Sequence, residues 1–252
     1  MSLNLDLEKT NRQLESQSAQ AVIEWAHETF GSGLAMLSSM QSTASTLTHM
    51  LYSLGLAGVD ILFVDTQYHF PETLALRDRL MEIYGVRIKT LTPEKTPEEQ
   101  FREYGRELYL KEGDYQLCCQ LRKEEPYLRA ARAYQAILSG LMRAEAGARG
   151  TIRKVEPDPR IGVYKIHPLA DWTRDQVDAY NREHRVPTHS LHERGYPSIG
   201  CRTCTTPVRP GEDERAGRWR HIREANPERG EKLYCGINFS DRKAGIEKDL
   251  KS

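Results

Sequence analysis

Cys201 and Cys204 stand in C-x-x-C spacing within the segment Gly195-Tyr-Pro-Ser-Ile-Gly-Cys201-Arg-Thr-Cys204-Thr, a spacing that lets both sulfurs turn toward one metal centre. The glycines and prolines around them predict a tight, irregular loop rather than regular structure. Cys118-Cys119 supplies a second pair of thiols, and the fifth cysteine, Cys235, stands alone near the end of the chain. Taken alone, the C-x-x-C pair is open between a structural zinc, a redox pair and two ordinary thiols. The adjacent pair alone reads as packing, because free cysteine is among the most buried residue types. As a set of four they read differently. Adjacent residues point their side chains in different directions in helix or strand, so Cys118 and Cys119 would strain to fill neighbouring corners of one zinc tetrahedron. A four-iron cube spreads its ligand sites further apart and takes soft thiolates throughout, so spacing and softness favour an iron–sulfur cluster over zinc.

Three further features could do chemistry. Cys235, in Tyr234-Cys-Gly-Ile-Asn238, is open between an incidental thiol and a nucleophile whose pKa falls when arginines approach it. Arg215 and Arg218 are three apart, neighbours on one face if that piece is helical, in an arginine-rich region able to form a small anion pocket. The polar run Ser38-Ser39-Met-Gln-Ser-Thr43 lies where a strand gives way to a helix, and backbone N–H groups at such a point can hold a phosphate. It lacks glycine and the P-loop lysine, and by itself reads as a polar turn with an N-cap serine.

The elements that must position these residues follow from periodicity. Apolar residues at helical spacing predict a helix over residues 12–30, and Leu34–Leu37 reads as a short buried strand. Leu47, Met50, Leu51 and Leu54 predict an amphipathic helix, Asp60–Val64 a second strand, and Pro71 the first residue of a helix reaching Tyr84. Val86–Leu91 predicts a third strand and Pro97 the start of another helix. Such alternation implies an α/β fold, a parallel sheet with helices on both faces. Ligands on such sheets sit outside the carboxyl ends of the strands, which singles out Ser38–Thr43 and Asp65–Pro71. Further on, Lys123–Arg132 reads as helix, Ala136–Ser139 and Val163–His167 as strands, and 147–159 as a polar excursion. Thr173 with Gln176 is a capping box for a helix over Arg174–Glu183. From Gly211 apolar residues thin out and charges crowd, predicting a partly mobile tail that carries Cys235. The expected division is therefore 1–210 as the nucleotide-binding and cluster domain, and 211–252 as the arginine segment and tail.

The 252 residues are 38% hydrophobic and 29% charged with a formal net charge of zero, which suits a globular protein and gives no general polyanion surface, so no nucleic-acid partner is expected. The first residues show no basic start followed by an apolar run, and no segment approaches the length of a membrane span. A cytoplasmic location is expected, where clustered thiols stay reduced.

Together these motifs resemble the adenylyl-sulfate (APS) and phosphoadenylyl-sulfate (PAPS) reductase family of assimilatory sulfate reduction. The resemblance is carried by Cys118-Cys119-Gln-Leu-Arg-Lys123, by His167-Pro-Leu-Ala-Asp-Trp172, by the Gly195–Thr205 segment, by Gly211-Glu-Asp-Glu-Arg215-Ala-Gly-Arg218-Trp219, and by Asp65-Thr66 with Phe70-Pro-Glu-Thr73. It implies a parallel-sheet sandwich of the adenine-nucleotide α-hydrolase (PP-loop) type. It also implies a [4Fe-4S] cluster on Cys118, Cys119, Cys201 and Cys204, and, since members of the family with these four cysteines mostly use APS, the APS branch. Substrate contacts are implied at Ser38, Ser39, Asp65, Thr66, Lys123, Arg143, Arg215 and Arg218. Cys235 is implied as the nucleophile that forms an S-sulfocysteine, with reduced thioredoxin or a similar dithiol as partner, and a homo-oligomer is expected. The chain departs from the family pattern at Ser39-Met40-Gln41 (family Ser-Phe-Gly), Gln67 (family Gly), Met142 (family Arg), Tyr234 (family Glu) and Asn238 (family His). The competing expectations are a PAPS or dual-specificity reductase and a non-catalytic or sulfur-transfer nucleotide-binding relative.

Overall fold

The computed structural model describes residues 5–145, 150–225 and Ile237. They divide into two compact units that interleave along the chain. The first takes the described residues of Met1–Phe63, Pro71–Thr90 and Ala130–Ser190; the second takes Val64–Phe70, Leu91–Arg129 and the described residues from Leu191 onward. Residues on both sides of position 210 thus belong to the second unit, and the expected division at 210/211 does not coincide with any boundary between the units.

In the first unit, α1 (Leu7–Leu14) is capped by Asp6 and α2 (Ala19–Phe30) by Ser18, each accepting from the backbone N–H three residues on. The single helix expected over 12–30 is therefore two, because Ser18 captures an N–H that a continuous helix would use internally. β1 (Leu34–Ser38), α3 (Ser42–Ser53), β2 (Asp60–Val64), α4 (Pro71–Tyr84) and β3 (Ile88–Leu91) follow. After them come β4 (Ala136–Leu138), β5 (Val155–Asp158), β6 (Val163–Ile166) and α8 (Arg174–Glu183), so numbered because α5 to α7 lie between. The sheet order is β3-β2-β1-β4-β6-β5. β1 pairs in parallel with β2 and β4, and β4 with β6, while β5 runs antiparallel on β6. β5 lies in the stretch expected to be a polar excursion. Its sequence, Val-Glu-Pro-Asp, carries a proline that only an edge strand tolerates, and period-2 patterning over four residues is a weak signal. Met36 stands opposite Ile61 on one side and Leu138 on the other; all three are buried in the core with Val22, Ile23, Leu47, Leu51 and Ile166. Each such side chain contributes about 1.5–3 kcal/mol on burial. The Thr173–Gln176 capping box forms as expected at the start of α8. No helix among the described residues is long and apolar enough to cross a membrane.

The second unit holds α5 (Pro97–Tyr104), opened by a Thr96–Glu99 capping box, then α6 (Asp114–Cys119), a π-helical turn over Gln120–Glu124, and α7 (Glu125–Ala131), which reaches into the first unit's stretch. A short 3-10 turn, Arg202–Cys204, and α9 (Arg220–Ala225) complete it, with Thr205 bridged antiparallel to Arg218. Its core packs Tyr68, Leu108, Tyr115, Trp219 and Ile222 around the four cysteines. The arginine segment was expected to be tail-like, but through residue 225 it is packed. Trp219 is 1% exposed, and one buried indole outweighs the charges around it.

Candidate functional site

Cys118, Cys119, Cys201 and Cys204 come together in the apolar core of the second unit, all buried and none in a disulfide. The elements that present them are irregular in a useful way. α6 ends at Cys119 and the chain continues as a π-helical turn, a departure from α geometry often found at functional sites. On the other side, Cys204 donates its N–H to Cys201 O (2.9 Å), and Trp219 donates its N–H to Cys204 O (2.8 Å). Two hydroxyls back the sulfurs: Thr66 Oγ1 lies 3.3 Å from Cys201 Sγ, and Thr203 Oγ1 3.7 Å from Cys204 Sγ. The buried indole Nε1 of Trp219, in the same cluster, has no hydrogen-bond partner among the described residues. Burial pushes the Cys118 thiol up to about 12, with Cys201 and Cys204 adding to the effect and Lys123 and Arg122 opposing it. Cys204 is raised for the same first reason. Four thiols in apolar surroundings are costly as bare thiolates, so the donor set fits a group that brings positive charge and takes sulfur ligands. Grouped in one core, the four sulfurs are nevertheless not drawn in around a single ion: among the described residues no set of three or more His, Cys, Asp or Glu side chains is placed to hold one.

Cations surround this core. Arg218 is buried, donates to Ile199 O (3.2 Å) and Ser198 Oγ (3.4 Å), and lies 4.6 Å from the Trp219 ring. Arg215 donates to the same Ser198 hydroxyl (3.4 Å), so the two expected anion-binding arginines meet at one serine. Gly200 makes room: a Cβ there would lie 2.6 Å from Arg218 Cζ. Lys123 follows the π turn's buried Arg122 and is close enough to Cys118 and Cys204 to favour their ionised forms. Asp65 and Thr66 serve their own loop, Asp65 Oδ1 accepting from Gln67 N (2.8 Å) and Thr66 Oγ1 from Tyr68 N (3.2 Å).

In the first unit, strand order reverses between β1 and β4: the chain leaves β1 toward β2 on one side and β4 toward β6 on the other. A crevice outside the carboxyl ends at such a switch point is where ligands bind on open α/β sheets. Two loops border it. Ser38 is buried and its hydroxyl accepts from Met40 N (3.3 Å), Ser39 is exposed, and α3 begins at Ser42, so that its N-terminal turn faces this loop. The second loop, Ser139–Arg143, escaped sequence reasoning except for Arg143. That guanidinium is engaged by Glu15 (2.6 and 2.9 Å) and Ile152 O (2.8 Å), partners far away in sequence.

Three features were missed by reading the sequence: Arg122, Trp219 and the strained backbone. Met40, Gln67 and Trp219 have φ of 55°, 58° and 49°, a region unfavourable for residues with a Cβ, and each lies in a loop expected to be functional. Glycine at the family position of Gln67 was the one available signal. Cys235, with Tyr234 and Asn238, lies outside the described residues.

The family model described as phosphoadenosine phosphosulfate reductase domain matches residues 33–207. The chain is 42% identical over 212 residues to a Streptomyces coelicolor protein named adenosine 5'-phosphosulfate reductase, covering 84% of this chain and 88% of that one. It is 39% identical over 238 residues to a protein of the same name from Halalkalibacterium halodurans, covering 94% and 98%. Among solved structures, that of phosphoadenylyl-sulfate (PAPS) reductase from Candida auris, in a phosphate complex, is similar with a TM-score of 0.72 at 30% identity, covering 82% of this chain and all of the other.

Proposed function

The chain belongs to the phosphoadenosine phosphosulfate reductase family, and we propose that it is an oxidoreductase that reduces adenylyl sulfate to sulfite and AMP in sulfate assimilation, with a thioredoxin-type dithiol as reductant. The observation that carries the reading is the gathering of Cys118, Cys119, Cys201 and Cys204 in one buried cluster, joined to relatives named for APS reduction that match nearly the whole chain.

In this reading the four thiols hold a [4Fe-4S] cluster, for which a cube suits an adjacent pair better than a single ion does. When bound it supplies fixed charge and a tie among the four sulfurs. The orphan indole N–H of Trp219 is the donor expected beside anionic sulfur. The chain's own residues do the rest. The first turn of α3, with Ser38 and Ser39, receives the nucleotide phosphate. Lys123, Arg215 and Arg218 hold the phosphosulfate, where negative charge grows as AMP departs. The Cys235 thiolate attacks sulfur, the S–O bond to AMP breaks, and an S-sulfocysteine remains. One thiolate of the dithiol then attacks Cys235 sulfur, releasing sulfite with the bonding electron pair, and its second thiol resolves the mixed disulfide. The two thiols lose two electrons and sulfur(VI) becomes sulfur(IV). A cytoplasmic homo-oligomer is part of the same proposal. The test is sulfite release from APS and from PAPS, assayed separately with reduced thioredoxin. Preference for APS is expected; release from PAPS alone would move the chain to the other branch, and release from neither would make it a nucleotide binder.

A further inference from the structure

Ser139, His167 and Glu156 form a line within the first unit that the proposed reaction leaves unused. Ser139 follows β4 and extends its ladder, donating its N–H to Ile166 O (2.8 Å), while its hydroxyl lies 2.9 Å from His167 Nδ1. His167 is fully buried and donates its own N–H to Lys154 O (2.8 Å). Its ring Nε2 has no hydrogen-bond partner among the described residues and lies 3.6 Å from Glu156 Oε2, on the antiparallel edge strand β5. A carboxylate on that side favours the proton on Nε2, which leaves Nδ1 to accept the Ser139 hydroxyl proton. Burial holds the His167 pKa below its ordinary value, with Glu156 opposing and Lys165 and Arg143 reinforcing, so the ring is neutral at physiological pH.

What Ser139 leads into gives the line its meaning. The next residue, Gly140, lies against the start of α3: a Cβ there would come within 2.6 Å of Thr43 Oγ1 and 3.3 Å of the Thr43 backbone carbon. Arg143 then donates its N–H to Ala170 O (2.9 Å), and Ala170 donates to His167 O (3.1 Å). The Ser139–Arg143 loop is therefore tied at both ends to residues 167–170 and pressed onto the first turn of α3, at the switch point between β1 and β4.

We propose that His167 is a positioning residue for nucleotide binding: through Nδ1 it holds Ser139, and so sets the Ser139–Arg143 loop against the phosphate-receiving start of α3. The inference rests on the nucleotide reading above and names the part of the substrate it concerns, the AMP moiety.

Asparagine branches at Cγ and can return an amide to the place of Nδ1, whereas the longer glutamine reaches the place of Nε2. The experiment measures AMP affinity by calorimetry, together with KM, kcat and iron content, for the full chain and for Ser139→Ala, His167→Gln and His167→Asn. Ser139→Ala and His167→Gln should each weaken AMP binding about tenfold, the scale of one hydrogen bond, and raise KM with kcat and iron content little changed. His167→Asn should restore affinity to within about threefold. Should His167→Gln fail to fold, Ser139→Ala removes the same bond from a small side chain. AMP affinity unchanged in Ser139→Ala, or equal loss in His167→Asn and His167→Gln, would overturn the role of His167. Parent protein that binds neither AMP nor APS would instead overturn the nucleotide reading, and this inference with it.

Discussion

Arg122 Nη2 donates to Gln67 Oε1 across 2.7 Å, tying a guanidinium that is 1% exposed to a residue held at a φ of 58°. Arg122 also donates to Thr66 O (2.7 Å), Lys95 O and Gln100 Oε1 (both 3.2 Å), and lies 4.9 Å from the Tyr68 ring. These hydrogen-bond partners are all uncharged oxygens, beside a core of four thiols. A hydrogen bond to a charged group is worth about 1.5–3 kcal/mol, and left-handed backbone costs a residue with a Cβ about 1–2 kcal/mol. Gln67→Ala forfeits the bond and keeps the strain, while Gln67→Gly forfeits the bond and relieves it. Even after the roughly 0.5–1 kcal/mol entropic cost of glycine, Gln67→Gly should have the higher urea midpoint of the two. The reverse order would mean that residue 67 is not strained.

The elements with strong local signals were legible: Pro71 opens α4, Thr173 and Gln176 cap α8, and the β1 and β2 runs fall where apolar residues cluster. What escaped depends on partners distant in sequence. Nothing around Arg143 announces Glu15, 128 positions away, and nothing in a charged segment announces that Trp219 will be core. Likewise the sequence shows His167 only as part of a motif, since its meaning lies in Ser139, just past β4, and in Glu156 on β5. The four thiols could be grouped because their chemistry requires company, not because any local pattern joins Cys118 to Cys201.

For the metal centre, anaerobically purified protein should be brown and carry about four irons per chain. Single Cys→Ser changes at 118, 119, 201 and 204 should each lose iron, while Cys235→Ser keeps it. A colourless, folded protein with one zinc would remove the argument for the cluster.

Two glycines near the arginine segment should behave oppositely. A Cβ at Gly217 would collide with the backbone oxygen of Thr206, whose N–H bonds back to Gly217 O (2.9 Å). Gly217→Ala should therefore destabilise by about 1–3 kcal/mol, as overpacking does. At Gly200 the obstacle is the far end of Arg218, which can swing away. Gly200→Ala should thus cost less stability than Gly217→Ala, the loss being the Arg218 bonds to Ile199 O and Ser198 Oγ, and weaken APS binding as Arg218→Ala does, by about 1.5–3 kcal/mol. Thermal midpoints and APS dissociation constants for the three variants separate these outcomes.

Stability should fall as pH drops below neutrality. His49, His69 and His167 all have pKa values lowered from the ordinary 6.5, burial being the first cause in each. The unfolded chain therefore takes up these protons first. The stabilisation is present in full above about 6.5 and lost as pH falls through and below that value. Thermal midpoints measured from about pH 8 to pH 5 should be flat and then decline, and His167→Asn should make the decline shallower. An unchanged slope would mean that His167 is not one of its sources.

The proposed covalent step rests on Cys235, the thiol left over once four are assigned to the metal centre. Tyr234 precedes it where the family has a glutamate, so no carboxylate at the adjacent position opposes ionisation, and an approach to Arg215 and Arg218 would favour the thiolate. Asn238 stands where the family has a histidine, so the step must proceed without that imidazole. If it does, enzyme mixed with APS and no reductant should gain the mass of one SO₃ group, located on Cys235 by peptide mapping, as a trapped covalent intermediate does. Reduced thioredoxin should remove the added mass and release an equal amount of sulfite, and Cys235→Ser should show neither event while still binding AMP. An intact metal centre and normal AMP affinity without any adduct would show that the substitutions at 234 and 238 have cost the chain its nucleophile, leaving a protein that binds the nucleotide and does not reduce it.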